Sequence, residues 1–133
     1  MKSMTGGCLC GSVKYESTGN PTHPTLCHCS SCRRASGSHV LGWVTFQMSE
    51  FRFTAGPPAE YRSSKSVVRT FCGTCGTPLT YRHDALPETI DVTIGSLHPP
   101  DATPPADHVW MSDAVAWDKP ADGLPQYQTS RVE

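Results

Sequence analysis

The chain has 133 residues, the size of one domain, and sets 11 Lys+Arg against 12 Asp+Glu for a net charge of -1. That balance excludes a chain-wide basic footprint for nucleic acid and an acidic tail. Hydrophobic residues make up only 37%, so the core is modest and needs a further staple, while 12 Pro and 11 Gly argue against long helices.

Read in chain order, the sequence predicts short strands separated by turn residues. Residues 12–16 alternate, with Val13 and Tyr15 on one face. Residues 40–46 are rich in β-branched and aromatic side chains. Residues 51–53 alternate again before Gly56-Pro57-Pro58, and 67–71 run directly into Cys72. Residues 89–94 place Ile90, Val92 and Ile94 on one side, and 109–111 read as a last short strand. The one helical turn expected lies at 30–35. Four prolines make 97–107 an extended loop, and 119–133 read as irregular. No internal repeat is visible. The expected architecture is one mainly β domain over 1–133.

The outstanding number is 7 cysteines, an odd count that opposes a fully paired disulfide framework. Residues 1–7 contain no apolar h-region, and no stretch approaches the ~20 apolar residues of a bilayer span. A cytoplasmic, reducing location is therefore expected, with no membrane association, and the thiols are read as metal ligands. They fall into three groups: Cys8 and Cys10; Cys27, Cys29 and Cys32; Cys72 and Cys75. Gly73 and Gly76 suit a tight metal-binding turn through positive φ and exposed N–H groups.

A closed structural zinc site takes four protein ligands and a reactive one takes three. Seven divides accordingly. Cys27, Cys29 and Cys32 can make a three-thiolate catalytic site, and Cys8, Cys10, Cys72 and Cys75 a structural one, giving two zinc ions per chain. A zinc ribbon joining Cys29/Cys32 to Cys72/Cys75 is disfavoured, since 72 − 32 = 40 positions exceeds the usual spacing of roughly 15–20. Two other readings stand beside the open site: a second structural site completed by His28 or a distant histidine, and thiol redox chemistry at Cys29/Cys32. On an extended segment His28 points away from its neighbouring cysteines. His23, His39, His83, His98 and His108 are scattered and read as ordinary surface or satisfied residues.

Three thiolates on Zn²⁺ leave a net charge near −1, which disfavours hydrolytic water activation. An incoming thiol is the natural fourth ligand, held as its nucleophilic thiolate and suited to attack an aldehyde carbon. Arg33 and Arg34, directly after Cys32, are candidates to screen that charge or grip a carboxylate of an anionic thiol.

Gly7-Cys8-Leu9-Cys10-Gly11-Ser12-Val13, Cys27-His28-Cys29-Ser30-Ser31-Cys32-Arg33 and Arg69-Thr70-Phe71-Cys72-Gly73-Thr74-Cys75-Gly76-Thr77-Pro78-Leu79 together resemble the glutathione-dependent formaldehyde-activating family, also called the centromere protein V/GFA domain. Trp117 and Leu124-Pro125-Gln126-Tyr127 look like its closing segment, so the resemblance spans nearly the whole chain. It implies an Mss4-like fold of several coiled antiparallel sheets built around zinc, with the same division of the cysteines. It further implies carbon–sulfur lyase chemistry that joins formaldehyde to glutathione as S-hydroxymethylglutathione. The partners expected are thus a small glutathione-like thiol and a small aldehyde. The rival expectation is a non-enzymatic zinc-binding module or protein-interaction domain of Mss4-like type, which exposed Trp43, Trp110 or Trp117 would favour. Nucleic-acid binding is not expected, for want of a Lys/Arg run.

Overall fold

The structure, a computed structural model, describes residues 3–131. Within them the chain forms eleven short strands: β1 (Met4–Gly7), β2 (Lys14–Ser17), β3 (Thr22–Cys27), β4 (Leu41–Gln47), β5 (Phe51–Ala55), β6 (Ala59–Ser64), β7 (Val67–Phe71), β8 (Pro78–His83), β9 (Thr89–Thr93), β10 (Leu97–His98) and β11 (Asp107–Val109). A single α-helix, α1 (Ser30–Ser36), follows β3. Two sheets result. The smaller has the order β10-β1-β2-β5, and the larger β11-β3-β4-β9-β8-β7-β6. All neighbours are antiparallel except β11, which lies parallel to β3. The fold is mainly β, and no helix among the described residues is long and apolar enough to cross a membrane.

The two-residue period of the strands sorts the large sheet into two unlike faces. Val44, Phe46, Ile90 and Val92 point to one side and share a core with Val13, Tyr15 and Leu97. Each such buried side chain contributes about 1.5–3 kcal/mol relative to exposure. Two core hydroxyls are paired: Tyr15 Oη lies 2.6 Å from Ser96 Oγ, and the Thr93 hydroxyl donates to the Pro78 carbonyl at 2.9 Å, while Ser17 Oγ on β2 is buried without a partner among the described residues. The opposite side carries a polar row in register across four strands: Thr45 on β4 opposite Asp91 on β9, Asp91 opposite Tyr81 on β8, and Tyr81 opposite Arg69 on β7.

Several boundaries differ from the sequence expectation for local reasons. The strand expected at 109–111 lies at Asp107–Val109, because Trp110 adopts a left-handed φ of 59° that turns the chain. The loop expected over 97–107 includes β10, which pairs Leu97 with Gly6, and a 3₁₀ turn at Pro100–Ala102. Proline removes donors at 99 and 100 but leaves Leu97 and His98 able to pair. Strands β1, β3, β6 and β8 carry no clear alternation, containing respectively two glycines, Pro24, a polar run and Pro78. Tertiary pairing makes them strands. The segment after β11 is irregular yet sewn down. Trp110 N–H donates to the Thr129 carbonyl at 2.9 Å, Tyr127 N–H to the His108 carbonyl at 2.8 Å, and Arg131 Nε to Asp107 Oδ2 at 2.5 Å. Val132 and Glu133 of the tail expected to be irregular lie outside the described residues.

Candidate metal centres and the adjoining cleft

The seven cysteines carry no disulfide and gather into two clusters, Cys8/Cys10/Cys72/Cys75 and Cys27/Cys29/Cys32, with the sulfurs of each within 4.8 Å of one another. In the first, Cys10 Sγ lies 3.7 Å from both Cys8 Sγ and Cys72 Sγ. A disulfide would need about 2.05 Å. Thiolates ~2.3 Å from a tetrahedral zinc ion are spaced about 3.8 Å apart, so the cluster has the size of a zinc cage.

Two turns build it. Cys8-Leu9-Cys10-Gly11 links β1 to the start of β2, and Cys72-Gly73-Thr74-Cys75-Gly76 links β7 to β8. Gly11 and Gly76 take φ of 81° and 84°, while Gly73 does not enter the left-handed region expected of it. The backbone supplies N–H donors to sulfur: Val13 to Cys8 at 3.3 Å, and Thr74 and Cys75 to Cys72 at 3.4 Å. The Val13 N–H pulls the Cys8 thiol below its ordinary pKa. The Thr77 hydroxyl, 3.3 Å from Cys75 Sγ, and further backbone donors bring Cys75 down to about 5. Thr77 Oγ1 also accepts the Leu9 N–H at 3.1 Å, tying one turn to the other. Both shifts favour the thiolate, the form that ligates a metal.

The second cluster sits where β3 ends and α1 begins. Cys27 is the last residue of β3, Cys29 is the helix N-cap with Sγ accepting the Cys32 N–H at 3.2 Å, and Cys32 is buried within the first turn. Serine or aspartate usually caps a helix, and here a thiol does so. Hydrogen bonds from Cys27 and then Cys32 pull the Cys29 thiol down to about 2. The same contact with Cys29, reinforced by Cys32 and burial, pushes Cys27 far up. Three sulfurs crowd one small space and cannot all ionise there without a cation between them. That donor set fits a thiophilic divalent ion.

The arginine facing this cluster is Arg69, not Arg33 or Arg34. Arg69 Nη1 and Nη2 each lie 3.8 Å from Cys32 Sγ, and its guanidinium stacks 5.1 Å over the Tyr81 ring. Arg33 instead donates to the Asp113 carbonyl at 3.1 Å, and neither it nor Arg34 lines the cleft. The helix turns them aside, whereas strand register brings Arg69 across the sheet. The available signal was the alternation of 67–71, where Val68 and Thr70 are buried and Arg69 lies between them.

His28 is buried at 1% exposure. Its Nε2 lies 2.9 Å from His108 Nδ1, and His108 Nε2 lies 2.8 Å from Asp122 Oδ2. On its other side His28 Nδ1 is 3.5 Å from Asp118 Oδ2, and burial pushes its pKa down. His108 is likewise buried and satisfied. This chain backs the Cys27–Cys29 segment with residues about 80 positions away, and the His28 N–H adds a bond to the Val109 carbonyl at 3.0 Å. Trp43 is buried, Trp110 stands at the cleft rim, and Trp117, 71% exposed, rests against the His39 ring.

A cleft of about 410 Å³ is lined by all three cysteines of the second cluster and walled by Trp43, Tyr81 and Val109, with Arg69, Asp91 and Asp113 as charged groups. A second hollow of about 470 Å³ shares Trp43, Tyr81, Asp91 and Trp110 and leads toward His23, Arg82 and His83.

These features define a small β protein organised on two cysteine clusters, one of which turns all three of its cysteines onto a single cleft. A solved structure from Rhodobacter sphaeroides has the same fold, with a TM-score of 0.59 at 23% identity, covering 93% of this chain and 99% of the other. The chain belongs to the glutathione-dependent formaldehyde-activating enzyme family, whose model matches residues 3–113. No curated protein matches it.

Proposed function

We propose that the protein is a zinc-dependent carbon–sulfur lyase that adds a thiol such as glutathione to formaldehyde or another small aldehyde, as one GFA-like domain working in a reducing, cytoplasmic setting. Cys8, Cys10, Cys72 and Cys75 hold a structural zinc, and Cys27, Cys29 and Cys32 a catalytic one. The observation that supports this reading is the cleft lined by all three cysteines of the second cluster, whereas the hollows beside the four-cysteine cluster each border only one of its cysteines, Cys8 or Cys72. Held by Cys27, Cys29 and Cys32, a zinc ion would supply an open position that lowers the pKa of an entering thiol. Arg69 offsets the surplus negative charge of three thiolates. Trp43, Tyr81 and Val109 keep bulk water from the wall against which a small aldehyde would lie.

The test is calorimetric titration of the two-zinc protein with glutathione, in buffers of different ionisation enthalpy, alongside Cys29→Ser. Binding releases a proton, so apparent affinity should rise with pH until the free thiol ionises in solution. Cys29→Ser should lose both the binding and the second zinc. Absence of zinc-dependent binding by any small thiol would falsify the reading. Thiol binding with no faster exchange between the thiol, formaldehyde and their hemithioacetal would leave a binding module.

A further inference from the structure

Asp91 is a carboxylate in an unusual place. It lies on β9, near the middle of the large sheet, in the row formed by Thr45, Asp91, Tyr81 and Arg69. Its side chain faces the cleft that contains Cys27, Cys29 and Cys32, and it also borders the adjoining hollow. The Thr45 hydroxyl donates to Asp91 Oδ1 at 2.7 Å. Among the described residues no ion pair engages it. The charged and titratable groups facing this region come from every neighbouring element: Tyr81, Arg82 and His83 on β8, Arg69 on β7, His23 on β3, Asp113 beyond β11, Arg131, and the three cysteines. Burial beside Trp43 and Tyr81 pushes the Asp91 carboxyl up, and the Thr45 hydrogen bond and the His23 charge return only part of the shift.

Addition of a thiolate to an aldehyde has a proton requirement that the thiol site leaves unmet. The sulfur forms a bond to carbon, the C=O π pair moves onto oxygen, and that oxygen needs a proton where water is kept out. We propose that Asp91 is the proton shuttle of this site: its carboxylic acid protonates the aldehyde oxygen as the carbon–sulfur bond forms, and its carboxylate takes the proton back when the adduct breaks down. The balance closes without a redox partner. The carboxylate left after addition is reprotonated by the proton that the next thiol gives up on entering. This inference rests on the lyase reading above and adds a catalytic residue to it.

The sign of the pH dependence follows. The entering thiol supplies the proton that Asp91 passes on, so addition of the neutral thiol starts from the free carboxylate, as breakdown does. Net addition neither takes up nor releases a proton, so both directions share one pH dependence and both should slow as pH drops through the Asp91 pKa. The experiment measures both directions by exchange NMR on zinc-loaded protein with glutathione and formaldehyde, subtracting the protein-free rate. Asp91→Asn should slow exchange by about 100-fold and remove that acidic limb. Its zinc content and thiol affinity should match the wild type. A carbon-13 carboxyl titration, assigned by the signal lost in Asp91→Asn, should place the Asp91 midpoint above the ordinary carboxylate range. Thr45→Val, which removes the hydrogen bond to the carboxylate, should raise both that midpoint and the kinetic limb; it also serves if Asp91→Asn does not fold. Exchange in Asp91→Asn at the wild-type rate, an unmoved limb in Thr45→Val, or loss of catalysis in Tyr81→Phe alone overturns the shuttle while leaving the lyase intact. A two-zinc wild type that binds thiol but does not speed exchange overturns the lyase reading, and the shuttle with it.

Discussion

At the scale of single residues, charge balance explains most of the second cluster. A divalent ion with three thiolates carries about −1, and the cleft answers it with one cation, Arg69, held by its stack on Tyr81. Arg69→Met keeps the length of the side chain and removes the charge. Zinc at this cluster should then bind about tenfold more weakly, the lower end of what loss of a group supporting a ligand costs. Competition with a chromogenic chelator reads the change, and the tightly held first equivalent of zinc should be unaffected. Arg33→Met, whose parent side chain bonds the Asp113 carbonyl instead, should leave both equivalents as they were.

At the scale of elements, the turns decide more than the strands. Gly76 sits at φ 84° with open space where a Cβ would be, so Gly76→Ala meets no neighbour and pays only for the left-handed backbone. That costs about 1 kcal/mol. Gly73 lies outside the left-handed region, and an added Cβ would meet Ala59 Cβ at an ordinary 3.7 Å, so Gly73→Ala should be near neutral. Denaturant unfolding of the two zinc-loaded variants separates these outcomes. The same contrast marks what was legible in the sequence. The cysteine count and spacing were enough to anticipate the two clusters of thiols, because tight turns fix the short-range pairs. Strands with clear alternation, such as β7 and β9, were legible near their observed bounds. Strands β1, β3, β6 and β8 were not, since pairing partners distant in sequence override weak local preference. For the same reason Arg69 and Asp91 went unrecognised as cleft residues: a cross-strand row exists only once register is set.

At the scale of the whole molecule, the two clusters relate differently to the architecture. The four-cysteine cluster joins the β1–β2 hairpin to the β7–β8 hairpin, with Cys10 and Cys72 62 positions apart, and Cys8 and Cys72 belong to the main core. A metal at that cluster closes a long loop and shares its binding energy with folding. The three-cysteine cluster spans six consecutive residues and packs with Trp43 and Val109 in a smaller core. Cys72→Ser should therefore lower the melting temperature of the entire protein, whereas Cys29→Ser should release one zinc and leave the main transition nearly in place. Thermal melts with metal analysis on both variants test this, and equal collapse of the two would mean that both ions are structural.

The chain Asp118, His28, His108, Asp122 has a bearing on biosynthesis. Cys27, Cys29 and Cys32 leave the ribosome early, but the imidazole and carboxylates that back them arrive about 80 residues later. At ~5–20 residues per second, translation leaves a gap of several seconds. Throughout it three thiols stand on a short nascent segment with no buried wall behind them, open to oxidants and to premature capture of metal. The cluster is thus most vulnerable before the protein is complete, and protection of its thiols matters most during synthesis.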